Sequence, residues 1–196
     1  MERSQLMGTD IQRRLFTVRE YYRLAETGIL NEDDHVELID GEIVKMTPIG
    51  SAHAGCVNRL NALLQKCFGG RGIVSVQNPI RLDAYTEPQP DLSVLSPRDD
   101  SYAAGHPGPE DVLLVVEVAD SSLQYDRDVK TMVYAAAGIP EMWLVDLKGE
   151  HVDVFTSPQR THYATRWQSH RGQRVLSTVL LTDPIDVDAI LPPPSA

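Results

Sequence analysis

The spacing of apolar and polar positions changes several times along the chain, and each change marks an expected element. Thr17 and Glu20 stand at the head of VREYYRLAET with the spacing of a reciprocal N-terminal cap, and Gly28 offers a stop, which predicts a short helix. HVELIDGEIVKM then alternates on both sides of Asp40-Gly41, a dipeptide suited to a tight hairpin turn, and predicts two antiparallel strands with Glu37 on the first. From Ser51 the period lengthens. His53, Val57, Leu60 and Leu64 recur at helical spacing up to Gly69-Gly70, which puts His53 on the core-facing stripe of a second helix.

GIVSVQNPIRLD and PQPDLSVL are β-prone runs and predict the next strands, while SPRDDSYAAGHPGPED, dense in Pro, Gly and Asp, predicts a surface loop. DVLLVVEVAD has the continuous apolar character of a strand buried on both faces. YDRDVKTMVYAAAG follows as a helix ended by Gly138, and EMWLVDL as a strand. That order predicts a crossover returning to the same sheet. KGEHVDVFT, HYATRWQ and QRVLSTVLL predict a second antiparallel segment. Residues 1–13 read as a flexible leader, 14–191 as one domain and 192–196 as a Pro-rich tail, with no internal repeat.

Composition narrows the class. A chain of 196 residues, 42% hydrophobic and 23% charged, can bury one sizeable core. Its formal net charge of −10 argues against a broad basic surface gripping nucleic acid, since phosphate contacts supply most non-specific affinity, yet it leaves room for a local basic groove. Acids gathered around a metal would add to the same imbalance. No apolar run approaches the roughly 20 residues of a membrane span. The opening MERSQLMGTDIQRR lacks a signal-peptide core, and Cys56 and Cys67 fall too far apart on one helix to pair within it, so a cytoplasmic protein is expected.

Two acids stand out against their surroundings. Asp91 heads the β-prone LSVL, and Glu117 lies inside LLVVEVAD, where an ionised carboxylate costs several kcal/mol unless a partner or metal compensates. Adjacent strands could present both at one sheet end, and a pair of hard oxygen ligands suits Mg²⁺, with Mn²⁺ as a substitute. Lys130, on the helix after Glu117, could lean back as a point charge. Each residue also has an ordinary reading. Asp91 could be a turn acid, Glu117 a strand end reaching solvent, Lys130 a surface partner of Asp126 and His53 a helix-start histidine. Glu37 could be an exposed strand acid, and Tyr134 core packing. The case for chemistry rests on the ordered set.

VELIDGEI, SAHAGCVNRLNALL, EPQPDLSVL, LLVVEVADSS, DRDVKTMVYAAAGIPEMWLVD and PIDVDAIL together resemble the Uma-two family of endonucleases, within the restriction-endonuclease-like PD-(D/E)XK superfamily, from about Thr17 to Leu191. The resemblance implies an α/β core with a mixed central β-sheet flanked by helices, plus additional antiparallel strands. It implies a metal held by Asp91, Glu117 and the Val118 carbonyl, Lys130 as the catalytic lysine, and Glu37 and His53 as further polar groups of the site. The superfamily's plain signature puts its lysine two residues after the second acid, where this chain has Ala119; the resemblance to the family places it on the following helix, where Lys130 stands. The function expected is Mg²⁺-dependent hydrolysis of DNA phosphodiester bonds. Its rivals are a non-catalytic nucleic-acid or protein-binding module with a vestigial site and a small-molecule hydrolase using the same metal. A homodimer is expected from an open sheet edge near Trp143, Val154, Phe155 and Trp167.

Overall fold

The computed structural model of the protein describes residues 13–179 and 184–193. Helix α1 (Val18–Glu26) starts where its cap was expected: the Thr17 hydroxyl accepts from the Glu20 N–H at 3.2 Å and the Glu20 carboxylate accepts from the Thr17 N–H at 3.0 Å. Strands β1 (Val36–Ile39) and β2 (Glu42–Lys45) form an antiparallel hairpin. Its turn residues Asp40 and Gly41 have φ of 49° and 77°, and a Cβ at Gly41 would fall 2.6 Å from that of Leu15, so glycine is required there. Helix α2 (Ser51–Phe68) buries Cys56, Val57, Leu60, Leu64 and Phe68, and ends at the left-handed Gly69.

The central sheet has six strands in chain order: β3 (Ile73–Val76), β4 (Leu92–Leu95), β5 (Val112–Ala119), β6 (Glu141–Asp146), β7 (His151–Pro158) and β8 (Tyr163–His170). Neighbours are antiparallel except β5 and β6, which run parallel because a helical crossover joins them. That crossover consists of α3 (Leu123–Tyr125), a π turn (Asp126–Lys130) and α4 (Thr131–Ala136). The Thr131 N–H reaches the Asp126 carbonyl five residues back, which widens the helix at that point. β9 (Arg174–Val175), β10 (Ile185–Asp186) and α5 (Val187–Ile190) complete the fold.

Side chains alternate along β5 and split the core between the two sheet faces. Leu114, Val116 and Val118 join α2 and α5 on one face; Val115 and Ala119 join Tyr134 and Ala135 of α4 on the other. Glu117 shares the parity of Val115 and Ala119, and therefore looks toward the crossover helix.

Several expectations change. β3 stops at Val76, because Gln77 takes a left-handed φ of 50°, and residues 77–91 run as a strap anchored by the buried Ile80 rather than as strand. β7 and β8 extend the central sheet instead of forming a separate segment; of QRVLSTVLL, Arg174–Val175 is strand, and residues 180–183 lie outside the described residues. Trp143, Val154 and Phe155 belong to the interior strands β6 and β7 and are covered by their own chain, so among the four aromatic and apolar residues expected at an edge Trp167 alone stands on an edge strand, β8. Of the leader, residues 1–12 lie outside the described residues, and Arg13 pairs with Glu42 at 2.7 Å. Of the tail, 194–196 lie outside them, and the Pro192 carbonyl accepts from Arg171. No helix among the described residues is long and apolar enough to cross a membrane.

Candidate active site

Antiparallel pairing brings the start of β4 beside the end of β5. Asp91 sits directly before β4, and its Oδ2 accepts from the Val118 N–H at 2.9 Å. Nε2 of His53, in the first turn of α2, lies 3.0 Å from the same oxygen, and Gln77 Nε2 is 3.4 Å from Oδ1. Val118, expected to take part through its carbonyl, thus contacts Asp91 through its N–H.

Glu117 faces the crossover helix, and its Oε1 accepts from Lys130 Nζ at 3.0 Å and from the Tyr134 hydroxyl at 2.6 Å. The same ammonium lies 3.2 Å from Glu37 Oε2, which also accepts from the Gln89 N–H at 3.2 Å. Glu37, His53, Asp91, Glu117 and Lys130 therefore meet at one end of the sheet. The ordinary readings of three of them fall away: Glu37, Glu117 and Lys130 are buried, and Lys130 is no surface partner of Asp126. Asp126 is itself buried and accepts from the Ser122 hydroxyl at 2.5 Å. The π turn shapes this delivery, because it carries Lys130 to Glu117 while Arg127, three residues earlier, reaches Asp153 along the sheet.

The local charge is unbalanced. Glu37, Asp91, Glu117 and Asp126 surround one ammonium and one imidazole. Burial pushes the Glu117 carboxyl up to about 8; Lys130 pulls it down, and Asp91, Asp126 and Glu37 push it further up. Burial alone would lower Lys130, but Glu117, Glu37 and Asp126 outweigh it, so the pKa is raised and the group stays an ammonium. His53 is raised, first by its bond to Asp91 and against its own burial. Asp126 is raised by burial, against the Ser122 hydroxyl. Tyr125 is pushed up to about 12 by burial and then by the Glu37 charge. Its hydroxyl and Nδ1 of His53 are buried without a hydrogen-bond partner among the described residues.

Among the described residues no group of three His, Cys, Asp or Glu side chains is placed to hold a metal ion. Asp91 and Glu117 bring two carboxylates from neighbouring strands to this end of the sheet, and one or two carboxylates with waters is the donor set that suits Mg²⁺. The surplus negative charge and the two unpartnered polar atoms fit a hard divalent cation. The sequence reading missed the hydrogen-bonding role of Tyr134, and it missed Tyr125, Ser122, Gln77 and Gln89 altogether. The i+4 spacing from Lys130 to Tyr134 and the period-2 spacing from Gln89 to Asp91 were the available signals.

A family model, Uma2, described as "Putative restriction endonuclease", matches residues 18–186. Among solved structures the chain is similar to a "putative nuclease belonging to DUF820" from Anabaena variabilis, with 14% identity over 89% of this chain and 97% of that one and a TM-score of 0.68, a likeness of fold. No curated protein matches the chain.

Proposed function

Since the chain belongs to the Uma2 family, we propose that it is a nuclease that hydrolyses DNA phosphodiester bonds with a divalent metal, Mg²⁺ or in its place Mn²⁺. The observation that carries this reading is the Lys130 ammonium, buried between Glu117 and Glu37 at the sheet end where Asp91 stands. Asp91 and Glu117, with the backbone at Val118, would hold the cation. When bound, it polarises a phosphoryl oxygen and acidifies water.

The chain's own residues supply the rest. Lys130 presents a fixed positive charge to the negative charge that develops on the phosphoryl group. The Tyr134 hydroxyl and the ammonium both bond Glu117 Oε1 and so fix its orientation. His53 orients Asp91, and Glu37 holds Lys130 from its other side. The rival binding-module reading drew on Ala119, which occupies the superfamily's usual lysine position. Ala119 is packed in the core, and an ammonium reaches the second acid from the helix instead, which favours catalysis.

Supercoiled plasmid incubated with Mg²⁺ or Mn²⁺ tests the proposal, alongside a small phosphodiester and calorimetric titration of Mn²⁺. We expect nicking of the plasmid, little turnover of the small ester, and loss of both nicking and Mn²⁺ binding in Asp91→Asn. Mn²⁺ binding without nicking would point to the vestigial module. Residues 14–191 are taken as one domain of a cytoplasmic protein. A homodimer would pair through β3 or β8, the open edges, and a monomer mass in light scattering at micromolar concentration would exclude it.

A further inference from the structure

Beside the acidic cluster lies a cleft of about 310 Å³, between α1, the β1–β2 hairpin and the 77–91 strap, whose walls include Tyr21, Tyr22, Asn31, His35, Glu87 and Gln89. We propose that it receives a single nucleobase of the substrate, an inference that rests on the nuclease reading above.

Three observations select this occupant. The first is size: ligand pockets run from roughly 300 to 1,000 Å³, and this cleft is at the small end, matched to one base with its sugar. The second is rigidity. The Tyr21 hydroxyl donates to the Val36 carbonyl at 2.9 Å, and the Tyr22 hydroxyl donates to Glu87 at 2.6 Å. Arg81 lies over the Tyr22 ring, 5.8 Å from its centroid, and His106 stacks on it at 6.4 Å, so Tyr22 is held in place before a ligand arrives and Tyr21 is the other ring of the wall. The third is chemistry. Glu87 is buried with both oxygens taken, one by the Tyr22 hydroxyl and one by Arg81, and the lining residues include no lysine or arginine to hold a phosphate, so the walls suit a neutral ring. Aromatic walls pack against a planar ring regardless of sequence, and the Asn31 amide offers both donor and acceptor to its edge, while Gln89, whose Nε2 donates to the Gln77 carbonyl at 2.6 Å, offers its amide oxygen.

The cleft shares a wall with the acids. Gln89 lines the cleft while its N–H donates to Glu37, and Asp91 lies two residues further on. Val36 lines the cleft and Glu37 follows it. A base lifted from its stack into the cleft leaves its backbone beside the carboxylates.

The test is fluorescence anisotropy in chelator, with two labelled single-stranded probes of equal length: a mixed-sequence deoxyoligonucleotide and a fully abasic chain. We expect the parent to bind the base-bearing probe about tenfold more tightly, the order of one aromatic–base stack. Ala25→Trp fills the cleft from α1, where Ala25 is exposed, and Met46→Trp fills it from the hairpin. Each variant that keeps the parent's circular dichroism should bind both probes equally weakly. Equal binding of both probes by the parent, or a folded filled variant that keeps the preference, overturns the proposal. Plasmid nicking in Mg²⁺ by the same preparations separates the two readings. Base preference without nicking removes the nuclease and keeps the base cleft; nicking without base preference does the reverse.

Discussion

Two buried carboxylates on one face of the sheet, Glu117 and Asp153, sit on either side of the same π turn and have opposite surroundings. Asp153 is fully covered, yet donors surround it: Arg166 at 2.9 Å to Oδ2 and 3.0 Å to Oδ1, Gln168 at 3.1 Å, and Arg127 at 3.5 Å. Glu117 has Lys130 and Tyr134 on a single oxygen, and must share the ammonium with Glu37 while Asp91 and Asp126 press from nearby. Burial is common to both; the balance of charge is not. One acid facing two guanidiniums is a closed structural pair, whereas four acids around one ammonium and one imidazole retain attraction for a cation. Arg127 and Lys130 lie within one widened turn and serve the two clusters separately, so a regular α-helix in that place would misdirect one of them.

The comparison breaks hardest at the acids themselves. Asp91→Asn and Glu117→Gln should each abolish metal-dependent nicking while the metal-free proteins melt at neutral pH at the parent's temperature or above, because the first removes a like charge from a crowded site and the second replaces a carboxyl that already holds a proton below about 8. Plasmid assays beside thermal melts in chelator read both effects. A variant that still cuts, or one that unfolds, would make the two clusters alike in purpose.

Lys130 comes next. Lys130→Ala should remove transition-state stabilisation of about 3–4 kcal/mol, a rate loss of roughly 10²- to 10³-fold, with Mn²⁺ affinity barely changed. Lys130→Arg should rescue poorly, since a wide planar fork does not replace a compact charge held between two carboxylates. Parent-like rates for Lys130→Ala at saturating Mg²⁺ would remove the ammonium from the mechanism and favour the vestigial module.

On the other side of the turn the effect should move from rate to stability. Asp153→Ala leaves Arg166 and Arg127 without their acceptor, but their side chains are 45% and 36% exposed and recover water. The cost is then that of lost charge-assisted hydrogen bonds, about 1.5–3 kcal/mol, read as a lower urea midpoint. Nicking per folded molecule should be unchanged; a selective fall in rate would mean that the Asp153 cluster also positions the site.

How much of this was legible in the sequence depends on the range of the forces involved. The Thr17–Glu20 cap, the Asp40-Gly41 hairpin and the crossover through Glu117's strand are local or nearest-neighbour patterns, and they fold as their spacing predicts. The likeness to a restriction-endonuclease-like chain likewise follows from ordered local motifs, and the fold agrees. Sheet order is not local. Spacing within β6, β7 and β8 does not say which strand lies alongside which, so Trp143 was expected near an edge and lies on β6 in the interior, beside a β7 buried on both faces. The left-handed Gln77 ends a run that composition alone extends. Tyr134 and Asp126 read as packing and surface because the π turn that brings them to the acids has no sequence signature. Glu87 and Gln89 matter only once the strap has folded beside Glu37.

The smallest effect sharpens the contrast through pH. In chelator the folded Glu117 carboxyl is raised to about 8 from its ordinary 4.5, so between those values the folded state keeps a proton that the unfolded chain has lost. The stability this proton contributes is fully present below about 4.5 and disappears as pH rises toward 8. His53, raised by Asp91, has the same sign: its contribution is present below its ordinary 6.5 and is lost as pH climbs through the raised value. The metal-free protein should therefore melt higher at pH 6 than at pH 8.5, by about 2–4 °C for each kcal/mol lost. Glu117→Gln should flatten most of that slope, since an amide has no proton to lose. Mg²⁺ should flatten it too, because a bound cation replaces the proton as the partner of the carboxylates. A melting temperature that rises with pH in chelator, or a slope that Glu117→Gln fails to change, would mean that the acids around Lys130 are as well compensated as Asp153, and the surplus charge on which the metal site rests would be gone.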